Sequence, residues 1–227
     1  MSIDIATYAG LKRAVLDWLG QPANMLLNSR FDDFLLNCER RMYYGHATEQ
    51  PDHPLRSDPL RISEMETVDE AFALGAATVA QPAGFLELIS ARLNSPPAPL
   101  QIVSQRILDG YGTQSLGATR LIAVSGTTFR LLDAPTAEGG GGGTATLRYY
   151  RKLATPQGSA VNDILANYPD VYLYGCLVEA AVFTQGEAEA QRYLQLYNAS
   201  VAGLNARTQR ITASAVPVIR LRAGMLP

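Results

Sequence analysis

The sequence predicts an α+β protein: a four-helix module built from N- and C-terminal helices, an inserted antiparallel β-rich region, and an extended C-terminal arm. Three observations carry this reading. Apolar residues recur at helical spacing over residues 1–50 and again from about residue 155. Over residues 60–153 the period shortens toward two. From residue 211 onward a proline and branched apolar residues alternating with arginine end the helical pattern. The expected division is therefore 1–50 with 155–210 for the helical module, 60–153 for the β-rich domain and 211–227 for the arm.

The first helix follows from Leu11, Val15 and Leu19, with Tyr8 and Trp18 alongside; it spans about Thr7 to Leu19 and stops before Gly20 and Pro22. A second places Leu27, Phe31, Phe34, Leu35, Cys38 and Met42 on one face, with Asn28 or Ser29 as cap and Gly45 as the left-handed stop. Proline and aspartate between Gln50 and Pro59 mark a linker.

Strand-like segments follow near Thr67–Leu74, Phe85–Leu93, Leu100–Val103, Leu121–Val124, Thr128–Leu132 and Thr144–Tyr150, forming a small antiparallel sheet or barrel. Ser125-Gly126 reads as a hairpin turn, Ser95-Pro-Pro-Ala-Pro99 as a longer connection, and Ser104–Tyr111 as a short helix. Five consecutive glycines, Gly139–Gly143, read as a loop tip. They lack the Gly-Lys-Ser/Thr of a phosphate-binding loop, and Gly110-Tyr-Gly-Thr-Gln-Ser115 lacks the strand, helix and downstream acid of a dinucleotide site, so no cofactor is expected. Beyond Pro156 and Gly158, one helix runs from Pro169 to about Thr184. After Gly186 a longer one covers Ala188 to about Arg210, and the two should form an antiparallel hairpin packed on the N-terminal pair.

Composition sets bounds on function. The chain has 227 residues, 47% of them hydrophobic and 18% charged, which are ordinary globular values. Asp4, Lys12 and Arg13 interrupt its start, and no long uncharged apolar run marks a membrane span. Cys38 and Cys176 lie on apolar helix faces and read as buried free thiols of a protein made in a reducing cytoplasm.

Catalytic groups are sparse. His46 and His53, near Glu49 and Asp52, are the only candidates for a zinc site and read better as part of a solvated linker. Glu64, Glu66, Asp69 and Glu70 read as an exposed strand edge or loop. Glu179 stands in an apolar helix and, if buried, requires an arginine partner. Tyr149, Tyr150, Tyr168, Tyr172 and Tyr174 have too few neighbouring cations for a base-stacking platform and are expected to pack in the interior and at its rim. An enzyme is not expected.

The net charge of −2 hides an asymmetry. Residues 190–227 carry five arginines and no acid, leaving −7 on the rest of the chain. The arm combines this charge with a strand-like pattern, so Val216, Val218, Ile219, Arg220, Leu221 and Arg222, together with Arg207 and Arg210, are the candidate interface residues. Pairing with another subunit's sheet edge would satisfy the backbone of such a segment and cover its apolar side chains.

A strand containing Tyr149 and Tyr150 leads through a short linker to Pro169-Asp-Val-Tyr-Leu-Tyr-Gly175, followed by Leu177, Glu179 and Ala180. Together with Tyr8-Ala-Gly-Leu-Lys-Arg-Ala-Val-Leu-Asp-Trp-Leu19 and Cys38-Glu-Arg-Arg-Met42, these residues resemble the head-to-tail adaptor (connector) proteins of tailed bacteriophages. The similarity covers most of the chain. It is weaker at Gln81-Pro-Ala-Gly-Phe-Leu-Glu87, where the family often has Leu-Pro-x-Asp-Phe-Leu-Glu.

The resemblance implies a structural virion protein at the head–tail junction, made in the host cytoplasm, that forms a homo-oligomeric ring, twelvefold to match the portal. It implies contacts with the portal protein and with tail or nozzle proteins, and a channel through which DNA passes transiently and non-specifically during ejection. An alternative is a virion accessory protein whose β-region binds a tail or host-surface ligand. That alternative requires exposed aromatics on the strands, where residues 60–146 offer only Phe72, Phe85, Tyr111 and Phe129.

Overall fold

The computed structural model of the chain describes residues 4–46, 56–74, 77–111, 120–132, 143–157 and 162–213. Among them are six α-helices and one curled seven-stranded sheet. The chain divides into two compact units: Met1–Ser63 with Thr155–Pro227, and Glu64–Ala154.

In the helical unit, α1 (Tyr8–Trp18) begins where the Thr7 hydroxyl accepts a hydrogen bond from the Gly10 amide at 3.1 Å. It buries Leu11, Ala14, Val15 and Leu16. Helix α2 (Met25–Tyr44) is capped by Asn24, whose Oδ1 accepts from the Leu26 and Leu27 amides at 2.9 and 3.1 Å. The expected caps, Asn28 and Ser29, lie inside this helix. Met25 is 84% exposed and Leu26 also faces outward, so the first turn adds nothing to the buried stripe that periodicity detects. Gly45, at φ +69°, ends the helix, and a Cβ there would stand 2.6 Å from the Ser57 carbonyl oxygen.

Helix α4 (Asp163–Asn167) was not expected; it is a single short turn capped by Asn162. Helix α5 (Pro169–Phe183) starts with Pro169 at its first turn, followed by Asp170. It is buried nearly all round and packs against α1, α2, α4 and α6. Helix α6 (Glu187–Ala213) returns antiparallel to it, with Tyr197 beside Gly175 and Arg207 reaching Tyr168. It runs three residues past the expected boundary at Arg210, so Ile211–Ala213 are helical rather than the start of an extended arm. The rest of the arm lies outside the described residues, as do most of the linker before Pro59, the Gly112–Ser115 part of the glycine-containing motif, and Gly139–Gly142 of the glycine run.

The β unit is one sheet with strand order β1-β7-β3-β4-β5-β6-β2. Its strands are β1 (Glu66–Leu74), β2 (Thr78–Ala80), β3 (Phe85–Asn94), β4 (Pro97–Val103), β5 (Arg120–Ser125), β6 (Thr128–Leu132) and β7 (Gly143–Arg151). Strand β2 was missed because three residues cannot display an alternation. Ser95-Pro-Pro-Ala-Pro99 is not a longer connection: Asn94 pairs directly with Pro97, so β3 and β4 form a tight hairpin. Gly126, at φ +56°, makes the expected turn between β5 and β6.

The sheet is also not wholly antiparallel, because β4 and β5 pair in parallel. The crossover between them, which contains α3 (Gln105–Tyr111), supplies the length that a parallel pair requires. Curling brings Phe72 of β1 to 5.8 Å and Phe85 of β3 to 5.0 Å from the ring of Phe129 on β6. These rings and Leu74, Leu93, Ile122 and Leu147 form the interior.

Candidate interaction surfaces

The Tyr168–Ala181 segment, the clearest motif of the sequence, lies inside the helical unit. Its glycine has a steric cause: a Cβ on Gly175 would meet the Cys38 sulfur at 2.3 Å and the Tyr197 ring at 3.3 Å, so α5 approaches α2 and α6 closely only there.

Tyr172 is fully buried and donates its hydroxyl to Glu39 Oε1 at 3.0 Å. Asn162 Nδ2 donates to the same hydroxyl at 2.9 Å, and the Thr155 hydroxyl donates to Glu39 Oε2 at 2.7 Å. Burial pushes the Tyr172 phenol far up, with Tyr43 and Glu39 adding to the effect, so it remains a donor at any ordinary pH. Sequence reading missed Glu39, although the spacing Phe31, Leu35, Glu39 puts it on the apolar stripe of α2.

Glu179 has the arginine partner that burial demands. Arg41 Nε and Nη2 donate to Glu179 Oε1 at 3.1 and 2.8 Å, and the two side chains are only 10% and 14% exposed. Cys38 and Cys176 are buried free thiols, and burial, with a hydrogen bond to Cys38, pushes the Cys176 thiol well above its ordinary value. These groups hold α2, α5 and the returning chain together.

Of the tyrosines, Tyr149 lies in the β-unit interior, its ring 5.6 Å from that of Phe85. Tyr174 stands at the surface of the helical unit, where the half-exposed Trp18 contacts it at 6.0 Å and Tyr193 at 6.5 Å. Val182 and Phe183 are exposed at the end of α5, and the Phe183 ring lies 5.5 Å from Phe34. Sequence periodicity had put Trp18 next to the buried face; its position at the last residue of α1 turns it outward.

The acidic run does form a sheet edge, since β1 ends the strand order. Glu66 is engaged by Arg148 of β7, whose Nε donates to Oε2 at 2.8 Å. Phe72, Phe85 and Phe129 turn inward, leaving Tyr111 as the exposed aromatic among the four that the ligand-binding alternative relied on.

Of the arm candidates, Arg207 and Arg210 are exposed on α6, and Arg207 Nη1 donates to the Tyr168 hydroxyl at 3.3 Å. Val216, Val218, Ile219, Arg220, Leu221 and Arg222 lie outside the described residues. His46 is exposed and bridges through its backbone to Ser57, while His53 lies outside the described residues. Among the described residues, no cluster of three or more His, Cys, Asp or Glu could hold a metal ion, and no helix is long and apolar enough to cross a membrane.

No curated protein matches the chain. A family model described as SU10 adaptor protein matches residues 6–220, a span that takes in the buried motif of the helical unit and the whole β unit. The chain therefore belongs to this family of phage head-to-tail adaptors, structural proteins of the virion.

Proposed function

We propose that the protein forms a homo-oligomeric ring, twelvefold to match the portal, that joins the portal to the tail and extends the DNA channel. The observation that carries this reading is the family match over residues 6–220. In this reading α1, α2, α5 and α6 act as a four-helix module, the β-rich domain is its insertion, and residues beyond Ala213 are an arm that docks on the portal or on a neighbouring copy. The charge distribution supports it: a mildly acidic chain contacts passing phosphates only weakly, while the basic C-terminal end is suited to an acidic protein surface. Tail or nozzle proteins would meet the opposite rim of the ring.

The test is to mix the purified protein with the portal protein of the same phage and image the product by electron microscopy, with each protein alone as control. A ring stacked coaxially on the portal is the expected result. A protein that stays monomeric and unbound at high concentration would overturn the reading. Removing residues 214–227 should abolish assembly and leave the fold unchanged by circular dichroism, and full assembly of that truncated chain would remove the arm from the account.

A further inference from the structure

We infer that the C-terminal arm of one copy adds as a strand to the β1 edge of a neighbouring copy, with Arg220 and Arg222 meeting Asp69 and Glu70. The inference rests on the ring reading above, since an arm-to-edge contact joins two different surfaces and so propagates from copy to copy until a ring closes.

The sheet has two edges, β1 and β2. Strand β2 has three residues, Thr78–Ala80, and no charge, whereas β1 has nine and carries Glu66, Asp69 and Glu70. Glu66 is neutralised by Arg148. Asp69 and the exposed Glu70 have no cation partner among the described residues, and Asp69 Oδ1 accepts only the Ala71 amide at 3.2 Å. Between them and the start of the strand lies Val68, an apolar side chain 53% exposed on an open edge. An acidic, partly apolar edge of this kind is either a guarded one or a docking strip.

The arm has the complementary pattern. Over Val218-Ile-Arg-Leu-Arg222 the side chains alternate, Ile219 and Leu221 on one face and Arg220 and Arg222 on the other. The edge alternates in the same way, with Val68 on one face and Thr67 and Asp69 on the other. Residues opposite one another in paired strands share a face, so a register that sets Leu221 or Ile219 against Val68 necessarily puts the arginines on the face of Asp69. Pro217, which cannot donate to a ladder, is suited to the head of an added edge strand. The bulge between Asp69 and Phe72 limits the regular edge to Glu66–Asp69, a length that Val218–Arg222 covers.

The test uses full-length chains that each carry one introduced cysteine, with the native thiols both buried. A Val68→Cys chain is mixed in turn with Val218→Cys, Ile219→Cys, Arg220→Cys and Leu221→Cys chains, with and without the portal, under mild oxidation. The expected result is cross-linking between chains that is strong for Ile219→Cys and Leu221→Cys and lost at Val218→Cys and Arg220→Cys. A flat or absent cross-linking pattern, or a cross-link that forms only within a single doubly substituted chain, overturns the inference.

As a second arm, Asp69→Lys with Glu70→Lys should lose assembly, Arg220→Glu with Arg222→Glu should lose it too, and the fourfold swap should restore it. Failure of the swap to restore assembly counts against the contact. Electron microscopy of the unsubstituted protein with the portal separates the two levels: rings without the cross-link refute the β1 contact alone, and no rings at all refute the adaptor reading together with it.

Discussion

In the helical unit Glu39, Ser57, Asn162 and Thr208 are buried among apolar neighbours, whereas the buried side chains described in the β unit are all aliphatic or aromatic. The ion pairs differ in the same sense. Arg41 and Glu179 are almost enclosed, while Arg148 and Arg130 of the β unit are 45% and 38% exposed. The contrast follows from how each kind of element finds its register. Strands are aligned by backbone ladders, so an apolar interior suffices once alternation is right. Packed helices have no ladder between them. A buried polar group that pairs in only one arrangement, such as Tyr172 between Asn162 and Glu39, penalises every slipped or rotated packing.

The largest expected effect separates the two arginines. Arg41→Ala leaves Glu179 buried without its guanidinium and should cost about 3 kcal/mol. Arg148→Ala breaks a solvent-screened pair and should cost about 1 kcal/mol or less. Urea denaturation measures both, and the single tryptophan, Trp18, reports on the helical unit alone. Replacing the pair by Arg41→Met with Glu179→Leu should recover most of the loss. Equal costs for the two alanine variants would dissolve the comparison.

A smaller effect tests the close approach of the helices. Gly175→Ala places a methyl group against the Cys38 sulfur and should destabilise by about 1–3 kcal/mol, with partial recovery when combined with Cys38→Ala. Gly126→Ala in the β unit meets nothing within 4 Å, so its cost, about 1 kcal/mol, comes from its left-handed backbone and no neighbouring substitution should rescue it. Thermal midpoints of the single and double variants distinguish the two causes.

The smallest effect concerns alkaline pH. The Tyr8 hydroxyl donates to Asp32, and burial first, then that carboxylate, push its pKa from 10.0 up to about 12. The folded value lies above the unfolded one, so the stabilisation is whole below pH 10.0 and is lost as pH rises through about 12. Tyr8→Phe should flatten that part of the pH–stability curve, by little because the group is partly exposed to solvent. An unchanged alkaline limb would remove the Tyr8–Asp32 contact from the account.

Much of this architecture was legible beforehand. The stripe from Leu27 to Met42 and the alternation in six of the seven strands are local consequences of burial, and they appear in the sequence at the right period. The need for a cation beside Glu179 was also readable, because a carboxylate among Cys176, Leu177 and Ala180 cannot stand alone. What local pattern could not carry was pairing. Nothing in Leu100–Val103 or Leu121–Val124 says that these strands run parallel, and nothing in the charged run Glu39-Arg-Arg41 says that one member faces Tyr172 and another Glu179.

The sequence by itself determined which segments are helices or strands, that two glycine-stopped helices precede a β region, and which family the chain resembles, since these depend on near-neighbour spacing and residue identity. Only the tertiary structure decided that Arg41 answers Glu179 across 138 positions, that Glu39 ties Thr155 to Tyr172, and that β1 is left at an edge with Asp69 and Glu70 unpaired. The reason is physical: periodicity records that a side chain is buried or exposed, but its partner is chosen by the packing of elements far apart in the chain.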